Sequence, residues 1–199
     1  MARLGNIRPP YNSGKGGSMN KSIFLAAMAA PAALGGESME QAGPAFEAAS
    51  VSHSGTVHVD APPELAFQLF TAPGERLWAD GWDPVVLSGG DGRNRGSVFV
   101  TTHKQDLTIW LVVDYDPDAL HARYARVAPT SRAGTVEVFA RSDGQGGTEV
   151  NVTYELTALS ETGNQTLADF DGPGFSRMMT EWEEAIRMAK VDFQAHFAQ

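Results

Sequence analysis

The sequence predicts an α+β domain in which a curved antiparallel sheet wraps around a long C-terminal helix. Three observations carry this reading. An alternating run at residues 51–60 leads straight into Pro62-Pro63 and a short apolar helix; further two-faced strands follow, joined by turn residues; and the chain closes on an amphipathic stretch bearing Trp182. A long helix laid across a curved sheet leaves a gap, and such gaps bind apolar molecules.

Val51, His53, Gly55, Val57 and Val59 alternate with mostly polar residues, the period of a half-buried strand. Pro63 and Glu64 suit the first turn of a helix over residues 64–70, which turns Leu65, Phe67, Leu69 and Phe70 largely inward. Pro73-Gly74 ends it, and residues 75–78 form a further turn. Residues 79–96 read as turn chemistry: Asp80-Gly81, Asp83-Pro84, then GGDGRNRG. Strands are expected at residues 97–103, 107–115, 120–127, 135–141 and 148–159, with Asp116-Pro117-Asp118 and SDGQGG as hairpin turns. Short connections imply a meander. The closing helix is expected to start after Gly172-Pro173-Gly174 and run to about Phe197, with Phe175, Met178, Met179, Trp182, Ile186, Ala189 and Phe193 on one stripe and a Glu183–Arg187 pair on the wet side.

The chain has 199 residues, 42% of them hydrophobic, which suits one domain plus a tail. From residue 51 onward, 11 basic residues face 21 acidic ones, a formal charge of −10. Such a surface repels phosphate backbones and anionic lipid, so no nucleic-acid partner is expected. There is no Cys, which removes disulfides, thiolate metal sites and cysteine nucleophiles.

Residues 1–18, rich in Gly, Pro and Ser without apolar period, read as a disordered extension. Residues 19–36 carry Lys21, an apolar run and the small-residue site Ala30-Pro31-Ala32, the pattern of a signal peptide starting at Met19. The run is too short to span a bilayer, so no integral membrane segment is expected in the mature chain. Export to the periplasm or beyond follows if that leader is genuine; an Ala-rich arm on a cytoplasmic protein is the alternative. Residues 37–50 read as linker, and the domain proper as 51–199.

Trp78, Asp80, Trp82 and Asp83 crowd into GERLWADGWDP. Indoles offer flat apolar contact and one N–H donor, and Asp80 is a candidate to orient a ligand hydroxyl or act as base. The structural reading is that the two Trp cap the core and the Asp residues start turns. Trp110, Tyr124, Tyr154 and Trp182 are the expected inner-face aromatics, either as core or as walls of a pocket. Met178 and Met179 suit either role.

His53 and His58 lie on opposite faces of one strand, and His103, His121 and His196 sit on separate elements, so no metal site is expected. His103 with Asp106 is a candidate acid–base pair, or simply a solvated strand end. Only one of Arg123 and Arg126 can point inward, and a buried Arg needs a carboxylate or an anionic ligand headgroup. Asp114, on the same alternation as Trp110 and Val112, is a candidate partner. GGDGRNRG lacks the Lys-Ser/Thr of a phosphate loop, and there is no GxSxG elbow; no cofactor is implied.

VHVDAPPELAFQLFTAPGERLWADGWDP, the strands bearing TIWLVVDYDP and TEVNVTYELTALS, and the terminal MMTEWEEAIR together resemble the START-like, or SRPBCC, superfamily. The resemblance covers about residues 51–195 and implies the helix-grip fold of the birch-pollen allergen, with a cavity between helix and sheet. That superfamily includes lipid and hormone carriers, polyketide cyclases and dehydratases, oxygenase domains and chaperone activators, and fold analogy does not choose among them.

The expected function is therefore binding of a small hydrophobic or amphipathic molecule between the sheet and the C-terminal helix. Its walls are expected from Phe67, Phe70, Trp110, Tyr124, Val152, Tyr154, Met178 and Trp182, with Trp78 and Trp82 at the entrance. A polyketide cyclase or dehydratase without metal is the enzymatic alternative, with Asp80, Asp114, His103 and Arg126 as nominees for an inward polar group. A ligand-free interaction module is the third reading, and it requires a filled core and an exposed apolar patch around residues 78–86.

Overall fold

A computed structural model describes residues 46–103 and 106–189; the expected extension, leader and the last turns of the closing helix lie outside them. The elements run β1 (Ser50–Val59), α1 (Pro63–Gln68), β2 (Val85–Ser88), β3 (Val98–His103), β4 (Asp106–Asp116), β5 (His121–Ala128), β6 (Arg132–Ser142), β7 (Thr148–Ala158), α2 (Glu161–Asp169) and α3 (Gly172–Ala189). The seven strands form one antiparallel sheet in the order β1-β7-β6-β5-β4-β3-β2. Strands β2 to β7 are the expected meander, and β1 closes against β7, the last strand.

Alternation sets which residues face inward, and register aligns them in rows across the sheet. One row runs Phe99–Trp110–Arg126–Gly134–Leu156, and the next Val112–Tyr124–Val136–Tyr154–His53. α3 crosses this face close to β1, burying Phe175, Met179 and Ile186. Gly55 makes the approach possible: a Cβ there would stand 2.7 Å from Met179 Cγ and 3.0 Å from Phe175 Cε1. The helix is thus seated on the β1 edge of the sheet and leaves the inner face of the middle strands for other neighbours.

Two elements depart from the sequence reading. Residues 85–88 form the edge strand β2 rather than turn, because Val85 and Val86 find partners in Val100 and Phe99. α2 was not signalled by apolar period; Ser160 caps it by accepting the Gly163 N–H at 3.1 Å. The expected Glu183–Arg187 pair is also replaced. Glu183 Oε2 accepts the His58 backbone N–H at 3.0 Å, and Arg187 lies 3.5 Å from Glu184 instead.

A third correction bears on the site. In β4, Val112 pairs with Tyr124 but Asp114 pairs with Arg123, so Val113 is an extra residue and the strand bulges. Beyond the bulge the faces exchange. Tyr115 turns inward to stack on Phe67, with ring centroids 5.5 Å apart, while Asp114 turns outward, 3.5 Å from His121. Asp114 therefore cannot partner an inward Arg126.

Candidate functional site

Between α3 and the middle of the sheet lies a cavity of about 410 Å³. Thr71 shapes its near wall: its hydroxyl donates to the Gln68 carbonyl at 2.7 Å and accepts the Gly74 N–H at 3.2 Å, folding the chain back after α1. A short 3-10 turn, Glu75–Leu77, follows and delivers Glu75 to the cavity. The indoles of Trp78 and Trp82 are then fixed by donating to the Leu69 and Ala72 carbonyls, at 2.8 and 2.9 Å. Buried indole N–H groups need such partners, and these two hold the rings as walls.

Aromatic rings enclose most of the space. Trp78 meets Trp182 edge to face at 5.5 Å, and Phe70 lies 5.8 Å from Trp78. Trp82 meets Trp110 at 5.6 Å, and Trp110 stacks on Phe99 at 5.8 Å. Val136, Val138, Val152 and Met178 complete the apolar lining. All four tryptophans of the chain line the cavity. Asp80, Gly81, Thr102 and His103 are exposed lining residues and mark its mouth.

Nine of the ten expected wall residues line the cavity: Phe70, Trp78, Trp82, Trp110, Tyr124, Val152, Tyr154, Met178 and Trp182. Phe67 does not; it is buried core stacked on Tyr115. Trp78 is buried rather than at the entrance, whereas Trp82 is partly exposed and adjoins the mouth. Of the polar nominees, Asp80 and His103 are at the mouth, Arg126 is inside, and Asp114 is outside on the opposite face. The apolar residues exposed on that outer face lie elsewhere than residues 78–86 alone: Leu107, Ile109, Leu111 and Val113 of β4 continue into Val85 and Leu87 of β2.

Arg126 is the inward member of its pair. Arg123 points out, 3.6 Å from Glu155, whereas the Arg126 guanidinium lies 5.3 Å over the Trp110 ring. It makes no ion pair or hydrogen bond among the described residues, and its Nε is the one buried side-chain polar atom there without a partner. Burial lowers its pKa from the ordinary arginine value. Arg132, one row further along on β6, also lines the cavity, with Nη1 donating to Ser131 Oγ at 3.0 Å. Thr101 and Thr108 share this end, Thr101 accepting the Trp110 indole N–H at 3.0 Å.

Glu75 was not among the residues singled out from sequence. Burial raises its carboxyl from 4.5 to about 8, so at neutral pH it is largely protonated. No hydrogen bond from the protein fixes that carboxyl among the described residues, so its proton is open to the cavity. Burial raises the pKa of Tyr124, whose hydroxyl donates to the Phe70 carbonyl at 3.2 Å, and pushes Tyr154 up to about 12. The site thus combines apolar walls, an uncommitted cation and a neutral acid. Among the described residues no group of three metal-ligating side chains is gathered, and no helix is long and apolar enough to cross a membrane.

A seven-stranded curved antiparallel sheet gripping a C-terminal helix over an aromatic cavity defines the α+β helix-grip class. The chain belongs to the polyketide cyclase/dehydrase and lipid-transport family, whose model matches residues 50–190, and so to the SRPBCC superfamily. Its fold is similar to that of a truncated norcoclaurine synthase from Thalictrum flavum, at 10% identity and TM-score 0.54 over 74% of this chain and 97% of that one. It is also similar to ginseng major latex-like protein 151 from Panax ginseng, at 11% identity and TM-score 0.54 over 71% and 98%. A protein from Rhizobium leguminosarum is similar at 16% identity and TM-score 0.51 over 71% and 97%. At these identities the likeness concerns the fold alone. No curated protein matches in sequence.

Proposed function

We propose that this protein binds one small molecule with an apolar body in the cavity between α3 and the sheet. The cavity itself carries the reading. Native interiors hold few voids larger than a water, yet this one has about 410 Å³ among indole, phenyl and valine side chains, room for roughly a dozen waters. Keeping such a space open forfeits dispersion contacts that larger side chains would make, which is a sound arrangement only where a ligand supplies them.

The test is titration with the neutral dye N-phenyl-1-naphthylamine, read by energy transfer from tryptophan. Saturable 1:1 binding is expected, and Val138→Phe, which narrows the floor, is expected to weaken it at least tenfold while the protein stays folded. Equal binding by wild type and Val138→Phe would contradict the reading.

Glu75 favours a second reading, in which the same cavity performs proton transfer of the cyclase or dehydratase kind. A carboxylic acid whose pKa is raised to about 8 sits near the pH at which it can both give and take a proton. Deuterium uptake at the α-carbon of 2-tetralone, followed by NMR, tests this. Accelerated exchange that Glu75→Gln abolishes while dye binding persists supports an enzyme; exchange at the buffer rate leaves a carrier.

A further inference from the structure

We propose that Arg126, with Arg132 beside it, anchors the carboxylate of an amphipathic ligand whose apolar body occupies the aromatic part of the cavity. The inference deepens the binding function above and rests on it.

The sheet register brings the two cations together. Arg126 stands in the row of Trp110 and Gly134, and Arg132 in the adjacent row, on the far side of the short β5–β6 turn. Both project from the inner face and line the cavity. Two like charges on one apolar wall repel each other, and each depresses neither the cost of its own burial nor that of its neighbour. A chain with formal charge −9 has many carboxylates to spare for pairing. Yet among the described residues no carboxylate pairs with Arg126, and Arg132 donates only to the Ser131 hydroxyl, with the Asp106 charge acting on it from beyond ion-pair distance. The nearest candidate by alternation, Asp114, is removed to the other face by the β4 bulge. Glu75, on the turn after α1, is neutralised by burial rather than ionised by an arginine.

Trp110 holds the guanidinium in place by its π-face, at 5.3 Å, without consuming any of its donors. The five N–H groups of the fork are thus left for a planar anion, and a carboxylate is the group that meets such a fork by parallel hydrogen bonds. The polar end also has Thr101 and Thr108 for the second lone pairs, and it lies on the side of Thr102 and His103 at the mouth. Beyond it the lining is Phe70, Trp78, Trp182 and the valines, which would take only a hydrocarbon or an aromatic body.

The experiment displaces N-phenyl-1-naphthylamine from the full chain with decanoate and with 1-decanol, two ligands that share an apolar body and differ in charge. Decanoate is expected to displace the dye at about tenfold lower concentration or better, the scale of one charge-assisted hydrogen-bonded contact. Arg126→Met is expected to erase that preference, acid and alcohol then displacing the dye at equal concentrations, and Arg126→Lys to keep part of it. Equal displacement by acid and alcohol in wild type, or a preference that survives Arg126→Met, overturns the anchor and leaves the binding cavity standing. The wild-type comparison decides the matter even where a variant folds poorly. Failure of the dye to bind wild type at all overturns both the anchor and the cavity reading on which it rests.

Discussion

Arg126 lies over the ring of Trp110, directly across the β4–β5 ladder from it, with 5.3 Å between guanidinium carbon and ring centroid. The pair divides the cavity into a polar end and an apolar end. The cation is held by a neighbour that satisfies its charge in part and none of its hydrogen-bonding capacity. Around this pair the sheet supplies walls, α3 supplies a roof, and the turn after α1 supplies Glu75.

Glu75 makes stability depend on pH in a definite direction. Its carboxyl holds a proton up to about pH 8 in the folded chain, against 4.5 ordinarily. The native state therefore binds the extra proton between these values, and stability falls as pH rises through that window, by at most about 1.4 kcal/mol per pH unit. The contribution is complete below pH 4.5 and lost by pH 8. Urea denaturation is expected to show Glu75→Gln more stable than wild type at pH 8.5, by up to about 5 kcal/mol for the full window, with the two alike near pH 4.5. Parallel curves across that range would remove Glu75 from the interior.

Much of this arrangement was legible in the sequence. Alternation in β5 and β7 placed Tyr124, Val152 and Tyr154 inward, and the three- and four-residue spacing in α3 placed Met178 and Trp182 over them. The same alternation allowed at most one of Arg123 and Arg126 to be internal. Asp114 was misplaced because a period of two carries no sign of a bulge, which depends on how two strands pair. Glu75 was missed because a Glu after Pro-Gly reads as an ordinary first-turn residue. Its burial arises in the cavity, where Tyr124 and Tyr154 are brought near it from distant strands of the sheet.

Gly55 sets how closely α3 approaches the sheet. A methyl group at this position meets Met179 Cγ and the Phe175 ring within 3.0 Å. Gly55→Ala is expected to cost about 1–3 kcal/mol by lifting the helix, measured as a lower urea midpoint. It is also expected to change dye affinity, since the roof of the cavity moves with the helix. A variant with unchanged midpoint would show that α3 yields freely there.

The leader expected at residues 19–36 has its own consequence. Expression of the full chain in a Gram-negative host is expected to give periplasmic protein whose N-terminus lies near Ala30-Pro31-Ala32. Mass spectrometry reads the cleavage directly. An intact residue 1–36 segment on cytosolic protein would establish the alternative, an Ala-rich arm.

The most direct test of the binding cavity is a ¹⁵N NMR titration with N-phenyl-1-naphthylamine that follows the four indole N–H signals. Trp78, Trp82, Trp110 and Trp182 all line the cavity, so all four signals are expected to shift together and saturate at one equivalent. The backbone amides of Leu107, Ile109, Leu111 and Val113, whose side chains are exposed on the outer face of β4, would stay nearly in place. Stationary indoles with shifts confined to those β4 amides would place the dye on the outer face and contradict the account.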